Sequence, residues 1–369
     1  MEAKYDFLIV GSGLSGSAMA RMLTDSGKKV LVIEKRNEVG GNIHTDIVDG
    51  IPVHTYGPHI FHTDSREAWD FFCRYCEMEP YTNRVKANYK GKLISMPFNM
   101  WTFEALFGVK TPEEAKKIID AEVAKEGIKD PKNLEEQALS LVGRTIYETL
   151  IKGYTEKQWG RDAKELPAYI IKRLPLRFEF NDNYFNDMFQ GQPKNGYTPL
   201  INTLLEGVDI RLGVDYFKNR GKWDSMAKKI IYTGRLDEYF DFSLGRLEWR
   251  SLRFETKRMD IPSFQDTAVV NYTEREVPYT RITEHKKFHS VSRKLDHTIV
   301  TYEYPDSFEE GKIPYYVVGN ERNTKLAEQY RALAANLPNV YFLGRLANYK
   351  YYDMDDTLLS AFELMKQIS

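Results

Sequence analysis

The sequence predicts an α/β fold: a parallel sheet assembled from three separated pieces of chain, with a helical domain and an antiparallel β-sheet domain inserted between them. Three observations carry this. Tyr5–Val10 holds the unbroken apolar run Phe7, Leu8, Ile9 and Val10, as expected of a strand covered on both faces. Gly11, Gly13 and Gly16 follow at G-x-G-x-x-G spacing and open a helix, Leu14–Asp25, rich in Ala, Met and Leu and stopped at Gly27. A second apolar strand, Val30–Ile33, ends in Glu34, 18 residues after Gly16.

That succession is a Rossmann-like dinucleotide-binding unit. The first glycine makes the tight turn, the second lets backbone approach a pyrophosphate, and the third lets helix pack on strand. The helix start aims unpaired N–H groups and partial positive charge at phosphate. Glu34 is placed to take the hydroxyls of an adenosine ribose. Arg36-Asn37-Glu38-Val39-Gly40-Gly41-Asn42 then resembles the R-x-x-x-G-G segment that follows this unit in one large class of FAD proteins. There backbone makes a second close approach where a side chain would clash, which selects FAD over NAD.

With 369 residues and 42% hydrophobic content, the chain has material for two or three domains. Its 52 basic and 53 acidic residues give a net charge of -1, so no general field attracts nucleic acid or an anionic membrane. The N-terminus does not resemble a signal peptide and no apolar stretch reaches the ~20 residues of a membrane span, so a cytoplasmic protein is expected. Cys73 and Cys76 form C-x-x-C without a second pair; among Trp69, Phe71, Phe72 and Tyr75 they read as buried structural thiols.

Along the chain, residues 43–54 alternate about Asp49-Gly50 as a hairpin, with Pro52 on an edge. His59 and His62 lie in a short loop with no third ligand nearby, so they are read as cofactor-side residues, with satisfied core histidines as the alternative, and no metal is expected. A second hairpin turns at Lys90-Gly91. Residues 101–165 are helical in texture: Thr111-Pro112-Glu113-Glu114 starts one helix, and Asn133 caps another with Ala138, Leu141, Val142, Ile146 and Leu150 on its apolar face. Residues 167–199 are aperiodic, rich in Asn, Pro and aromatics, and read as a partly mobile loop carrying Arg173, Arg177 and Tyr184. Thr198-Pro199 begins a helix; residues 208–212 and 229–233 read as strands, the latter ending in Gly234. Four β-rich stretches, 246–254, 268–272, 280–284 and 298–304, suggest an antiparallel sheet. A helix (322–336), a buried strand (340–343) and a closing helix (355–367) finish the chain. The expected division is therefore 1–80, 197–245 and 316–369 for the FAD-binding domain, 99–166 for the helical domain, and 81–98, 167–196 and 246–315 for the sheet domain with its loop.

Three further strings narrow the reading: Gly153-Tyr154-Thr155-Glu156-Lys157-Gln158-Trp159-Gly160; Val277-Pro278-Tyr279-Thr280-Arg281-Ile282; and Gly344-Arg345 with Tyr351-Tyr352-Asp353-Met354. Together with Arg36 to Asn42 and residues 57–62, they resemble the bacterial UDP-galactopyranose mutases over essentially the whole chain. The resemblance implies a non-redox isomerisation that requires reduced FAD: flavin N5 attacks the anomeric carbon, and UDP leaves and returns as pyranose and furanose interconvert. It assigns Arg173 and Arg281 to the departing diphosphate, and Tyr154, Thr155, Trp159 and Tyr184 to the uridine and phosphate wall. Asn83, Asn271, Tyr315 and Tyr351 would complete the substrate pocket, with Arg250 near the sheet. On the cofactor side it implies Gly11, Ser12, Gly13, Leu14, Gly16, Glu34, Lys35, Gly41 and Asn42. His59, Ile60, His62 and Arg345 would lie beside the isoalloxazine, with the closing-helix start (Asp353, Met354, Asp355, Asp356, Thr357 and Leu358) stabilising a reduced, anionic ring. The chain departs from commoner family members at Ser15, where an aromatic is frequent, and at Pro58 and Ile151. A homodimer is expected. An FAD oxidoreductase of the amine oxidase or desaturase type and a UDP-sugar-binding protein without turnover remain as alternatives.

Overall fold

The computed structural model describes residues 3–171 and 175–368, so the expected role of Arg173 concerns a residue outside the described ones. Five parallel strands form the first sheet, in the order Asp209–Arg211, Val30–Ile33, Tyr5–Val10, Ala227–Tyr232 and Val340–Phe342. Parallel neighbours need crossovers, and helices supply them on both faces. On one face Leu14–Asp25 packs with Tyr197–Leu204 and Met354–Ile368, burying Ala18, Met19, Leu200, Ile201, Leu358 and Phe362 together. Tyr216, Trp223 and Tyr239 cover the other. Leu8 and Ile9 are wholly buried at the centre; each such side chain contributes roughly 1.5–3 kcal/mol. The last strand, expected to be buried, is half-buried because it stands at the sheet's edge.

A second sheet has seven strands, in the order Tyr316–Val317, Trp249–Met259, Thr298–Ser307, Arg281–Glu284, Val269–Tyr272, Val85–Tyr89 and Lys92–Met96. It is antiparallel except where Val269–Tyr272 runs parallel to Val85–Tyr89. Those two strands come from distant parts of the chain, so no hairpin dictates their direction. The strand Phe189–Pro193, assigned from sequence to the sheet domain, instead pairs with Phe61–Thr63 and Met78–Pro80 in a small sheet of its own.

The helical segment has the expected caps: Thr111 and Glu114 form a capping box, and the Asn133 side chain accepts from Glu136 N–H. The expected apolar face from Ala138 to Leu150 is not one helix. Gly143 takes φ 73°, ψ 178°, and a Cβ there would lie 2.4 Å from Glu122 Cβ. The chain breaks, makes a π turn at Tyr147–Ile151 and restarts as Lys152–Trp159. The expectation of buried thiols also needs correcting: Arg66–Tyr75 turns Phe71 and Phe72 inward, which leaves Cys73 exposed and Cys76 half-buried.

Candidate active site

The two glycine segments clasp each other at the carboxyl edge of the parallel sheet. Gly11 has φ +105° and donates its N–H to Ile33 O at 2.8 Å; a Cβ there would lie 2.1 Å from Thr233 Oγ1. Gly40 N–H donates to Ser12 O at 3.0 Å, and a Cβ on Gly41 would come within 2.9 Å of Gly13 Cα. Arg36 fastens the second segment, donating to Gly41 O at 2.9 Å and Asn42 Oδ1 at 2.8 Å. Helix Leu14–Asp25 has no side-chain cap, so its first N–H groups face the clasp.

Glu34 is buried and held at both oxygens. One accepts from the Ser12 backbone N–H and hydroxyl at 2.8 Å each, the other from Arg36 N–H at 2.8 Å. Ser12 thus orients Glu34 and does not itself line the cavity. Gly16 also lies behind the lining: its Cβ would meet Gly11 O at 2.1 Å, so its part is the strand–helix contact.

From this clasp a cavity of about 1480 Å³ runs to the seven-stranded sheet. That exceeds the ~300–1,000 Å³ typical of one drug-sized ligand. Gly11, Gly13, Leu14, Glu34, Lys35, Gly41 and Asn42 line the near end, where Lys35 also pairs with Asp215 at 3.3 Å. In the middle, His59, Ile60 and His62 face Arg345 and the start of the closing helix at Asp353, Met354, Asp356 and Thr357. Asp355 and Leu358, expected there too, are not part of the lining. Leu358 is wholly buried in the core, one turn further along the helix.

His59 donates Nδ1–H to Gly57 O at 2.8 Å, which leaves Nε2 without a proton. Burial takes its imidazole down to about 4, so it is neutral near pH 7. His62 is oriented by Asp187 at 3.1 Å and by stacking on Phe185, ring centroids 3.6 Å apart. Burial also raises the Asp353 carboxyl, opposed by His62. Arg345 donates to Tyr315 O at 2.6 Å and lies over the Tyr351 ring at 5.2 Å. Among the described residues no group of three His, Cys, Asp or Glu side chains converges to hold a metal.

At the far end, helix Lys152–Trp159 presents Tyr154, Thr155 and Trp159 to the cavity, opposite Asn271 and Arg281 on adjacent strands. Asn83, Tyr184, Tyr315 and Tyr351 complete the wall. Tyr184 is fixed through its N–H to Asn83 O at 2.9 Å, and Tyr351 stacks on Tyr316. Arg281 donates Nε–H to Glu303 Oε1 at 2.8 Å. Burial opposes the arginine's charge, but Glu303 together with the Tyr154, Tyr316 and Tyr184 hydroxyls offsets it and the guanidinium pKa rises. Arg250 does not line the cavity. It donates to Gln158 O at 3.0 Å and Ser307 Oγ at 3.3 Å, bracing the end of the site helix from behind.

Sequence reading passed over Glu303 and Gln158, both lining residues. Glu303 carries no local signal, since it reaches Arg281 only through strand register. Gln158 stood inside a string read mainly for its aromatics. The amide oxygens of Asn83, Gln158 and Asn271 are buried without a partner, which suits a site awaiting ligand donors. With the glycine cradle and the cavity's length, they fit a dinucleotide and a polar second ligand side by side.

Comparison with known proteins gives a consistent picture. A family model described as UDP-galactopyranose mutase matches residues 149–351, and one described as an NAD(P)-binding Rossmann-like domain matches residues 9–75. The chain is 39% identical to dTDP-fucopyranose mutase of Escherichia coli, covering 96% of each chain. It is 41% identical to the probable UDP-galactopyranose mutase of Klebsiella pneumoniae, covering 97% of this chain and 93% of that one. A crystal structure of reduced UDP-galactopyranose mutase superposes with a TM-score of 0.76 at 13% identity, over 99% of this chain and 95% of that one; at that identity the likeness concerns the fold. Among the described residues no helix is long and apolar enough to cross a membrane.

Proposed function

We propose that this chain, which belongs to the UDP-galactopyranose mutase family, is a reduced-FAD-dependent isomerase that interconverts UDP-galactopyranose and UDP-galactofuranose. The observation that carries the reading is the single cavity joining the glycine clasp to Arg281. One end suits a dinucleotide and the other a diphosphate with an aromatic-bound base.

The clasp of Gly11, Gly13 and Gly41 would hold the FAD pyrophosphate, Glu34 its ribose, and Arg345 with the Met354 helix start the electron-rich edge of the ring. Bound there, reduced FAD would supply an N5 nucleophile for the anomeric carbon, with UDP leaving and returning. Neutral His59 keeps its proton on Nδ1 and offers no cation to compete with that nucleophile. Arg281 neutralises the departing diphosphate, and Arg173, which matches the second of the family's two diphosphate arginines, acts with it. A charge pair at 4 Å is worth ~4 kcal/mol at an effective dielectric near 20, before desolvation. Tyr154, Thr155 and Trp159 hold the uridine with Tyr184, while Asn83, Asn271, Tyr315 and Tyr351 hold the sugar and phosphates.

The E. coli relative favours a second reading, a dTDP-6-deoxy sugar as substrate. Reduced protein given UDP-galactopyranose or dTDP-fucopyranose, with the nucleotide sugars separated afterwards, distinguishes the two. A furanose product from UDP-galactopyranose at the higher kcat/KM supports the first. Conversion of dTDP-fucopyranose alone replaces it with the second.

A further inference from the structure

We propose that Lys157 is a positioning residue that sets the nucleotide-binding wall at its working distance from Arg281. The inference rests on the reading of this wall as the UDP site. Lys157 lies in helix Lys152–Trp159 and donates Nζ–H to three backbone carbonyls: Tyr272 at 2.8 Å, Val277 at 3.0 Å and Tyr279 at 2.9 Å. An ammonium has three N–H donors, and each is matched. Tyr272 ends the strand that carries Asn271, and Val277 and Tyr279 lie in its connection to the strand that carries Arg281. One cation therefore ties the helix bearing Tyr154, Thr155 and Trp159 to the part of the sheet bearing the diphosphate-binding arginine.

Two further contacts make this the seat of the helix. Gly153 lies so close to the same connection that a Cβ would come within 2.3 Å of Thr273 O and 2.9 Å of Arg275 N. Glu156 pairs with Arg275 at 3.2 Å. On its other side the helix follows directly on a π turn, Tyr147–Ile151, and the chain departs from helical geometry further back, at Gly143. Burial lowers the Lys157 amino group to about 8, while Glu274 and Glu276 of the connection hold it up, so it is charged at neutral pH. Arg275 on the same connection faces Glu156.

The test compares wild type with Lys157→Met, which keeps the stem without donors, and Lys157→Gln, which keeps two. UDP affinity is read by protein fluorescence, KM and kcat with UDP-galactofuranose, and bound flavin by absorption. A shifted wall weakens nucleotide binding with little effect at the reacting atoms. The Met variant is therefore expected to retain flavin, raise Kd for UDP and KM together by about 10-fold or more, and change kcat by less than about 3-fold. The Gln variant should fall between. Should the Met chain fail to fold, the same split in the Gln variant carries the test. UDP bound by a folded, flavin-containing variant as tightly as by wild type overturns the proposal, as does loss of kcat and stability at unchanged KM. Failure of wild type to bind UDP would instead remove the reading on which the inference rests.

Discussion

Arg281 Nε–H points at Glu303 Oε1 across 2.8 Å, with the glutamate side chain 3% exposed and the arginine side chain 20%. Removing one partner of such a pair leaves a buried charge uncompensated, at a cost of about 3–5 kcal/mol. Arg281→Ala is expected near the low end, because Glu303 lines the cavity, and should lower kcat/KM at least ~100-fold if the guanidinium carries the departing diphosphate. Adding Glu303→Gln removes the orphaned charge, so stability should recover while turnover does not. Recovery of both, by urea unfolding and steady-state kinetics, would make the pair purely structural.

The glycines separate folding from binding. A Cβ on Gly16 would sit 2.1 Å from Gly11 O, which is backbone and has nowhere to go, so Gly16→Ala is expected to disrupt the strand–helix contact and yield little soluble protein. At Gly13 the Cβ would meet only Gly41 Cα at 3.8 Å, and φ is -67°. Gly13→Ala should therefore fold with wild-type circular dichroism yet purify without flavin, because its methyl occupies the phosphate approach. A yellow Gly13→Ala protein would move the pyrophosphate elsewhere.

These contrasts also show what was legible in the sequence. The clasp is local: Gly11, Gly16, Glu34 and Gly41 fall within forty residues, so spacing disclosed the first three and the resemblance of one short segment the fourth. Arg281 and its string were recognisable by family resemblance, but its partner Glu303 was not, because only the pairing of Arg281–Glu284 with Thr298–Ser307 brings them together. The same limit hid the parallel pairing of Val85–Tyr89 and the bracing position of Arg250. The break at Gly143 escaped because the apolar period runs through it unchanged. A positive φ in a glycine is invisible to periodicity.

A buried histidine cluster behind the cavity carries a pH dependence. His59 N–H donates to His54 Nδ1 at 3.0 Å, and His54 Nε2 faces His289 Nε2 at 3.1 Å. His285 Nδ1 accepts from His54 N–H at 3.2 Å, while its Nε2 meets Thr301 Oγ1 at 2.7 Å. Burial lowers His54 well below the usual range, His285 to about 3 and His289 to about 4. Folded values below the unfolded ~6.5 mean that the unfolded chain binds more protons. The stabilisation is thus complete above about pH 6.5 and is lost as pH falls toward 4, by roughly 1.4 kcal/mol per pH unit for each imidazole. Urea midpoints measured from pH 7.5 to 4.5 should fall steeply, and less steeply in His289→Asn. A flat profile would contradict the neutral cluster.

Arg173→Ala is expected to give a folded, yellow protein with turnover reduced by at least ~100-fold. Wild-type rates in that variant would take Arg173 out of the reaction.

The most direct measurement is to purify the chain, record its flavin spectrum, reduce it with dithionite under anaerobic conditions and add UDP-galactofuranose. UDP-galactopyranose should accumulate over many turnovers while the flavin stays reduced, and the oxidised protein should be inactive. Protein that is colourless and refuses added FAD, or product formation coupled stoichiometrically to flavin reoxidation, would contradict the account.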